Sequence, residues 1–125
     1  MTGLRRVLAL IALVFGLVTL VAGGRVLAGA DPGYVVFRPL LLYNVAMGVV
    51  YIAAALIAWR SVESGARAAA GIFGLNLAVL LAIVWLHASG AAVALQSVLA
   101  MILRTVVWLL LFIGLAWAVR GRASG

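Results

Sequence analysis

The side chains of this sequence that can do chemistry lie within apolar stretches, and Arg104 stands out among them. It occurs in AMILRTVVW (residues 100–108), where no other residue carries a charge. A guanidinium binds carboxylate and phosphate groups through a planar fork of N–H donors, so an arginine placed here suits an anionic or polar ligand. Five further residues carry polar or aromatic groups that can share such a site: Asn44, His87, Tyr51, Asn76 and Trp108.

Two interpretations of Arg104 stay open from the sequence. In the first, the side chain reaches toward the membrane surface, or is satisfied inside the protein, and only fixes the helices in place. In the second, Arg104 and its neighbours form a polar pocket that opens outward and holds a ligand or a partner. Membrane insertion of an arginine at a helix centre costs about 2.5–3.5 kcal/mol, and less nearer the surface.

Composition excludes several other kinds of site. The chain has no cysteine, which excludes disulfides, thiolate metal sites and cysteine nucleophiles. Its single histidine, His87, cannot build a metal or bis-histidine haem site by itself. The apolar segments contain no Asp or Glu, which disfavours a proton-coupled exporter, and no acid–base pair or activated nucleophile is present. We therefore predict a non-enzymatic protein without a cofactor or a metal.

The elements that position these residues must be membrane helices. Of the 125 residues, 69% are hydrophobic and 9% are charged, whereas a soluble domain is about half apolar and a quarter charged. All nine basic residues are arginines, and the net charge is +7. They lie singly or in pairs around apolar blocks, as topology signals do, so we predict a lipid bilayer and not nucleic acid as the surroundings.

Four segments are apolar over about 20 residues, the length that a membrane-spanning helix needs. They cover 7–23, 39–59, 68–87 and 98–119. We predict an all-α fold, an integral membrane antiparallel four-helix bundle with short loops. It forms a single domain over 1–125, with a flexible cytoplasmic tail at 120–125. The first segment has an alternative, a cleaved signal peptide, because Arg5-Arg6 precedes it and Ala28-Gly29-Ala30 has the form of a cleavage site.

The arginines also predict an orientation. Six of them flank one side of the membrane, whereas only Arg25 and Arg38 flank the other. Because cytoplasmic loops are enriched in basic residues, we predict that both termini are cytoplasmic in a bacterial inner membrane. At about 1.5 Å per residue, Asn44 then lies about 7 Å and Arg104 about 9 Å below the outer boundary, with His87 at that boundary.

A second polar layer is expected deeper in the membrane. Tyr51 lies about 18 Å and Asn76 about 16 Å below the outer boundary. Tyr51 shares a helix face with Asn44, and Asn76 shares one with His87, so these faces should line the bundle interior. Trp108 follows Arg104 by one helical turn, and its ring is a candidate to stack beneath the guanidinium.

Small residues recur at every fourth position along the third predicted helix, starting just before its apolar segment: Ala66, Ala70, Gly74, Ala78 and Ala82. In lipid, helices associate where small residues let their backbones approach closely. One interpretation is that this row packs against a neighbouring helix of the same chain, and the other is that it forms a dimer interface. Shorter rows occur in the other segments: Ala12 and Gly16, Ala54 and Ala58, and Gly114 and Ala118.

Two stretches resemble a group of small, uncharacterised bacterial four-helix integral membrane proteins: FRPLLLYNVAMGVVYIAAALIAW (37–59), and HASG (87–90) together with AMILRTVVW. The second helix of that group carries an aromatic-Asn step followed by a glycine, here Tyr43-Asn44 and Gly48. Its last helix carries an Ala-Met, Arg-Thr, Trp pattern, here Ala100, Met101, Arg104, Thr105 and Trp108. Members often have an acidic residue just before this pattern, where this chain has Ala94-Leu95-Gln96. The resemblance implies the four-helix fold and no activity.

Two functions are consistent with these features. The first is an accessory or assembly subunit that acts by association with other membrane protein subunits or with itself. The short loops and the small-residue row favour it. The second is a minimal oligomeric transporter or channel, with an outward-facing polar or anion site formed by Arg104, Asn44 and His87.

Overall fold

The computed structural model describes residues 2–124, and the side chains of 3–121. It consists of four long helices: α1 (Thr2–Leu27), α2 (Arg38–Arg60), α3 (Val62–Ala88) and α4 (Leu95–Ser124). Each has a mean hydropathy of 2.2 or more over a membrane-length window and is long enough to cross a membrane. The predicted all-α four-helix fold and the membrane-spanning character of its helices are confirmed.

Each helix extends beyond its predicted apolar segment at both ends. The stretch 60–67, expected as a polar loop, is reduced to Ser61, whose hydroxyl accepts a hydrogen bond from the Ser64 backbone N–H at 3.3 Å. A serine cap supplies an acceptor to the free N–H groups of a first turn, and the acidic Glu63 in that turn suits the helix dipole. At the other end of the chain, α4 continues to Ser124, so residues 120–124, expected as a tail, are helical. Gly125 lies outside the described residues.

The longer connections are built around glycines with positive φ. Between α1 and α2, Gly33 has a φ of 84° and donates its backbone N–H to Asp31 Oδ1 at 2.8 Å. Between α3 and α4, Gly90 has a φ of 86°. Residues other than glycine rarely adopt this conformation, so both turns depend on glycine.

α1 packs along α2 and α3 packs along α4, whereas α1 meets α4 over a short stretch. At Gly16 of α1, an added Cβ would lie 2.9 Å from Ile52 Cγ1. At Gly48 of α2, it would lie 3.1 Å from Leu20. The two helices are antiparallel, because Gly16 meets Ile52 whereas the later Leu20 meets the earlier Gly48. Their backbones approach closely because glycine has no side chain.

Most of the described arginines gather at one end of the bundle, which we call the basic end: Arg5, Arg6, Arg60, Arg67 and Arg120. Arg25 and Arg38 lie at the opposite end. All four helices contribute to a buried cluster in the half nearer the basic end, which includes Ala12, Tyr51 and Trp108. A second cluster in the opposite half is formed around Leu40, Ile83 and Met101, without a residue from α1. The end of α1 away from the basic end packs on α2 instead, where a Cβ added at Gly23 would lie 2.8 Å from Val45 Cγ2.

The predicted helix-packing row of α3 faces away from the bundle. Ala66 is buried and Ala70 is half-buried, but Gly74, Ala78 and Ala82 are exposed. Apart from the adjacent residues and backbone of α3 itself, no described atom lies within 4 Å of the position that a Cβ would take at Gly74. The interpretation that this row packs within the chain is therefore wrong for Gly74, Ala78 and Ala82, whereas Ala66 does pack in the core. α3 instead buries the side that carries Ala69, Ile72, Asn76 and Ile83.

Candidate functional site

The deeper polar layer is a hydrogen-bonded cluster centred on Asn76 of α3. The Tyr43 hydroxyl donates to Asn76 Oδ1 at 2.7 Å, and Asn76 Nδ2 donates to the Tyr51 hydroxyl at 3.0 Å. Asn76 and Tyr51 are both fully buried. Because lipid offers the amide no alternative partner, these bonds fix the rotation of α3 against α2.

Aromatic packing continues this layer toward α4 and α1. The Tyr51 and Trp108 rings lie 4.8 Å apart at an interplanar angle of 33°, and Phe15 of α1 lies 5.6 Å from Tyr51 on another side. Trp108 is 1% exposed, and its indole N–H has no hydrogen-bond acceptor among the described side chains and backbone. These rings close the middle of the bundle.

A cavity of about 210 Å³ lies on the side of this layer away from the basic end, and both Arg104 and Asn44 line it. Its walls come from the last turns of α1, the α1–α2 connection, the start of α2 and the start of α4. α3 contributes none of them. The polar groups at its surface belong to Tyr34, Asn44, Ser97 and Arg104. On the α1 side, the small residues Ala22 and Gly23 line the cavity together with Val26.

The cavity has a positive charge that the chain does not neutralise. Arg104 Nε and Asn44 Oδ1 are buried, and neither has a hydrogen-bond partner among the described residues. The sequence has only two acidic residues, and Asp31 is exposed in the α1–α2 connection while Glu63 lies at the basic end. The ionisable side chains near Arg104 are instead Tyr51, Tyr34 and Tyr43, which carry no charge at neutral pH. Burial without a counter-charge favours a bound anion.

His87 does not join the cavity. It is exposed, and its Nδ1 lies 2.7 Å from the Val93 carbonyl oxygen, so Nδ1–H donates across the α3–α4 turn. The predicted convergence of His87 with Arg104 and Asn44 is therefore wrong, because a nearby carbonyl in its own turn holds the ring. The cation–π contact found among the described residues joins Arg6 to Trp59 at 5.6 Å and not Arg104 to Trp108.

The predicted site residues do not include three residues that the structure places in the two polar layers: Tyr43, Tyr34 and Ser97. Tyr43 precedes Tyr51 by two helical turns, and this i, i+8 spacing with Met47 between them is the signal that marks a shared face. Tyr34 reads as an interfacial aromatic residue, since its position depends on the path of the α1–α2 connection. Ser97 lies two helical turns before Arg104 and is buried.

These groups are suited to hold an anion or a neutral polar molecule. They comprise hydroxyls, amides and one guanidinium, and within the described part of the chain no three of the His, Asp and Glu side chains gather as metal ligands do. Taken with the four spanning helices, they define a small multi-pass membrane protein with a polar cavity in one half. No family model, curated protein or solved structure matches the chain.

Proposed function

We propose that this membrane protein acts without enzymatic activity, as an accessory or assembly subunit that associates with other membrane subunits through α3. The observation that supports the proposal most is the uncovered row of Gly74, Ala78 and Ala82. These small residues occupy a membrane-facing surface, where α1 carries Val14, Val18 and other large aliphatic side chains. Lipid has no preference for small residues, whereas a neighbouring helix needs them for close approach.

The shape of the adjacent surface supports the same proposal. Between α2 and α3 runs an apolar groove of about 320 Å³, whose α3 wall includes Ala68 and Gly71 and whose α2 wall includes Ala53. As at Gly74, no described atom beyond the adjacent residues and backbone of α3 lies within 4 Å of a Cβ placed at Gly71. The row and the groove form one flattened strip, which we call the α3 strip, and it suits the side of another transmembrane helix.

We further propose a bacterial inner membrane location with the basic end in the cytoplasm. Arg5, Arg6, Arg60, Arg67 and Arg120 support this orientation, since basic residues are retained on the cytoplasmic side. The cavity beside Arg104 then faces outward. A reporter that is active only in the cytoplasm should be active when fused after residue 125. A C-terminal fusion active only outside the cytoplasm would overturn this orientation.

The association has a direct test in the Gly74→Leu variant. Because the space around Gly74 is open within the chain, we expect the variant to fold and to keep its thermal stability as a single chain. On purification in mild detergent, the parent should elute as a complex with larger membrane subunits, and Gly74→Leu should elute alone. We expect the affinity of Gly74→Leu for these subunits to fall by at least about tenfold, because leucine blocks the helix contact. A tenfold loss corresponds to about 1.4 kcal/mol of binding free energy.

Val18→Phe on α1 is the matched control, since it adds equal bulk at a membrane-facing position that is 60% exposed. It should co-elute with the same subunits as the parent. If Gly74→Leu also keeps those subunits, or if Val18→Phe loses them, the α3 strip is not the contact.

The cavity favours a second candidate, a minimal oligomeric transporter or channel that takes up an anion from the outer side. The inner half of the bundle is filled by the cluster that includes Tyr51 and Trp108, so the cavity ends within the membrane. A transport path would therefore have to form between copies of the chain. Purification as a homo-oligomer without other subunits would favour this candidate over the accessory role.

A further inference from the structure

We propose that the cavity beside Arg104 binds the singly charged head group of an anionic lipid. Its walls come from α1, α2, α4 and the α1–α2 connection, so lipid binding is independent of association through the α3 strip.

The charge balance of the cavity indicates a single negative charge. Arg104 is the one cationic residue among those that line it, and no carboxylate lines it. A phosphodiester carries one negative charge, and a guanidinium can bind two of its oxygens at once. The ammonium group of a zwitterionic lipid would find no carboxylate here. An uncharged alcohol beyond the phosphodiester, such as glycerol, would find hydroxyl and amide partners.

The neutral polar groups are placed to complete such a contact. Ser97 and Tyr34 offer hydroxyl groups, and Asn44 offers an amide whose Oδ1 has no partner among the described residues. Hydroxyl groups of a glycerol head group can donate to Asn44 Oδ1 and accept from Ser97 and Tyr34. The volume of about 210 Å³ admits a head group and excludes a protein segment.

The position of the cavity favours a lipid over a soluble anion. The cavity lies between the halves of α1 and α4 away from the basic end, and Ala22, which lines it, is an exposed residue of a membrane-length helix. Its remaining walls are apolar, with Val26, Leu41 and Ala100 among them. These walls suit the glycerol backbone and the first carbons of acyl chains, and basic pockets between helices are known to accept lipid head groups.

The test compares thermal unfolding of the purified protein in neutral detergent with added phosphatidylglycerol or phosphatidylcholine. We expect phosphatidylglycerol to raise the midpoint by at least about 5 °C more than phosphatidylcholine does, as a ligand specific for the folded state should. Arg104→Gln should remove this difference. Arg38→Gln should keep it, since Arg38 is an exposed arginine at the same end of the bundle and does not line the cavity.

A second pair of variants keeps the charge and changes only the space. Ala100→Phe fills the cavity and should remove the phosphatidylglycerol effect even if Arg104→Gln fails to fold. Leu99→Phe, at the neighbouring membrane-facing position, should keep it. Inorganic phosphate and glycerol phosphate should produce no comparable shift. An equal shift with either soluble anion, or an unchanged lipid preference in both Arg104→Gln and Ala100→Phe, would overturn the proposal.

Discussion

Replacement of Asn76 by leucine is expected to lower the free energy of unfolding by about 2–4 kcal/mol. The variant removes the acceptor of the Tyr43 hydroxyl at 2.7 Å and the donor to the Tyr51 hydroxyl at 3.0 Å. Tyr51 is fully buried, so its hydroxyl cannot turn to water when its partner is lost. Unfolding in mixed micelles of increasing denaturing detergent measures the change.

Gln96→Leu is the matched control for Asn76→Leu, because it also exchanges an amide for leucine, at an exposed position near the start of α4. We expect its effect to stay within about 0.5 kcal/mol. The double variant with Tyr43→Phe should be less destabilised than the sum of the single variants, since both remove the same hydrogen bond. Equal effects of Asn76→Leu and Gln96→Leu would contradict the role of Asn76 as the link between α2 and α3.

Replacement of Trp108 by alanine should cost about 3–5 kcal/mol, the largest single effect that we expect. Trp108 is 1% exposed and packs against the Tyr51 ring at 4.8 Å, so its removal leaves a cavity where the four helices meet. In lipid this loss comes from missing packing contacts more than from exposure to solvent. The same micelle unfolding experiment reports it.

Trp117 provides the control on the same helix, because it is 66% exposed and faces the membrane. Trp117→Ala should change the free energy of unfolding by less than about 1 kcal/mol. Were Trp117→Ala as destabilising as Trp108→Ala, the rotation of α4 in the bundle described above would be wrong.

The sequence predicts the four spans and much of the polar layering because both depend on simple lengths. A run of about 20 apolar residues is read directly as a span. The rise of 1.5 Å per residue in antiparallel helices then places Asn44 and Arg104 at one depth, and Tyr51 and Asn76 at another. In the structure the first pair lines one cavity and the second pair is hydrogen bonded.

The rotation of α3 could not be predicted in the same way. A helix that is apolar on all sides gives no periodic signal for the side that faces its own chain. Small residues in lipid mark close contact without saying whether the partner is the same chain or another. Asn76 indicates the buried side of α3 better, since an amide must find a partner inside the protein. Asn76 lies on the side of α3 opposite to the row that contains Gly74.

Local turn chemistry explains the remaining differences. Depth and helix face predict His87 near Arg104 and Asn44, but a carbonyl six residues away in its own turn holds the ring at 2.7 Å. Ser61 is the single residue between α2 and α3. The stretch 60–67 between the two apolar segments instead suggests a longer loop. At this junction Gly65 lies so close to Ala58 that an added Cβ would be 2.7 Å from its Cα. A glycine thus permits a tighter hairpin than composition indicates.

Photocrosslinking in intact membranes tests association through α3 most directly. A photoreactive amino acid is introduced at Leu81, which borders the small-residue row and is 63% exposed, or at Leu103 of α4, which is 59% exposed. We predict a crosslink to another membrane subunit from position 81, which Gly74→Leu abolishes, and only lipid adducts from position 103. A crosslink from position 81 to a second copy of this chain would support the transporter candidate instead. Equal crosslinking from both positions, or none from position 81, would contradict association through the α3 strip.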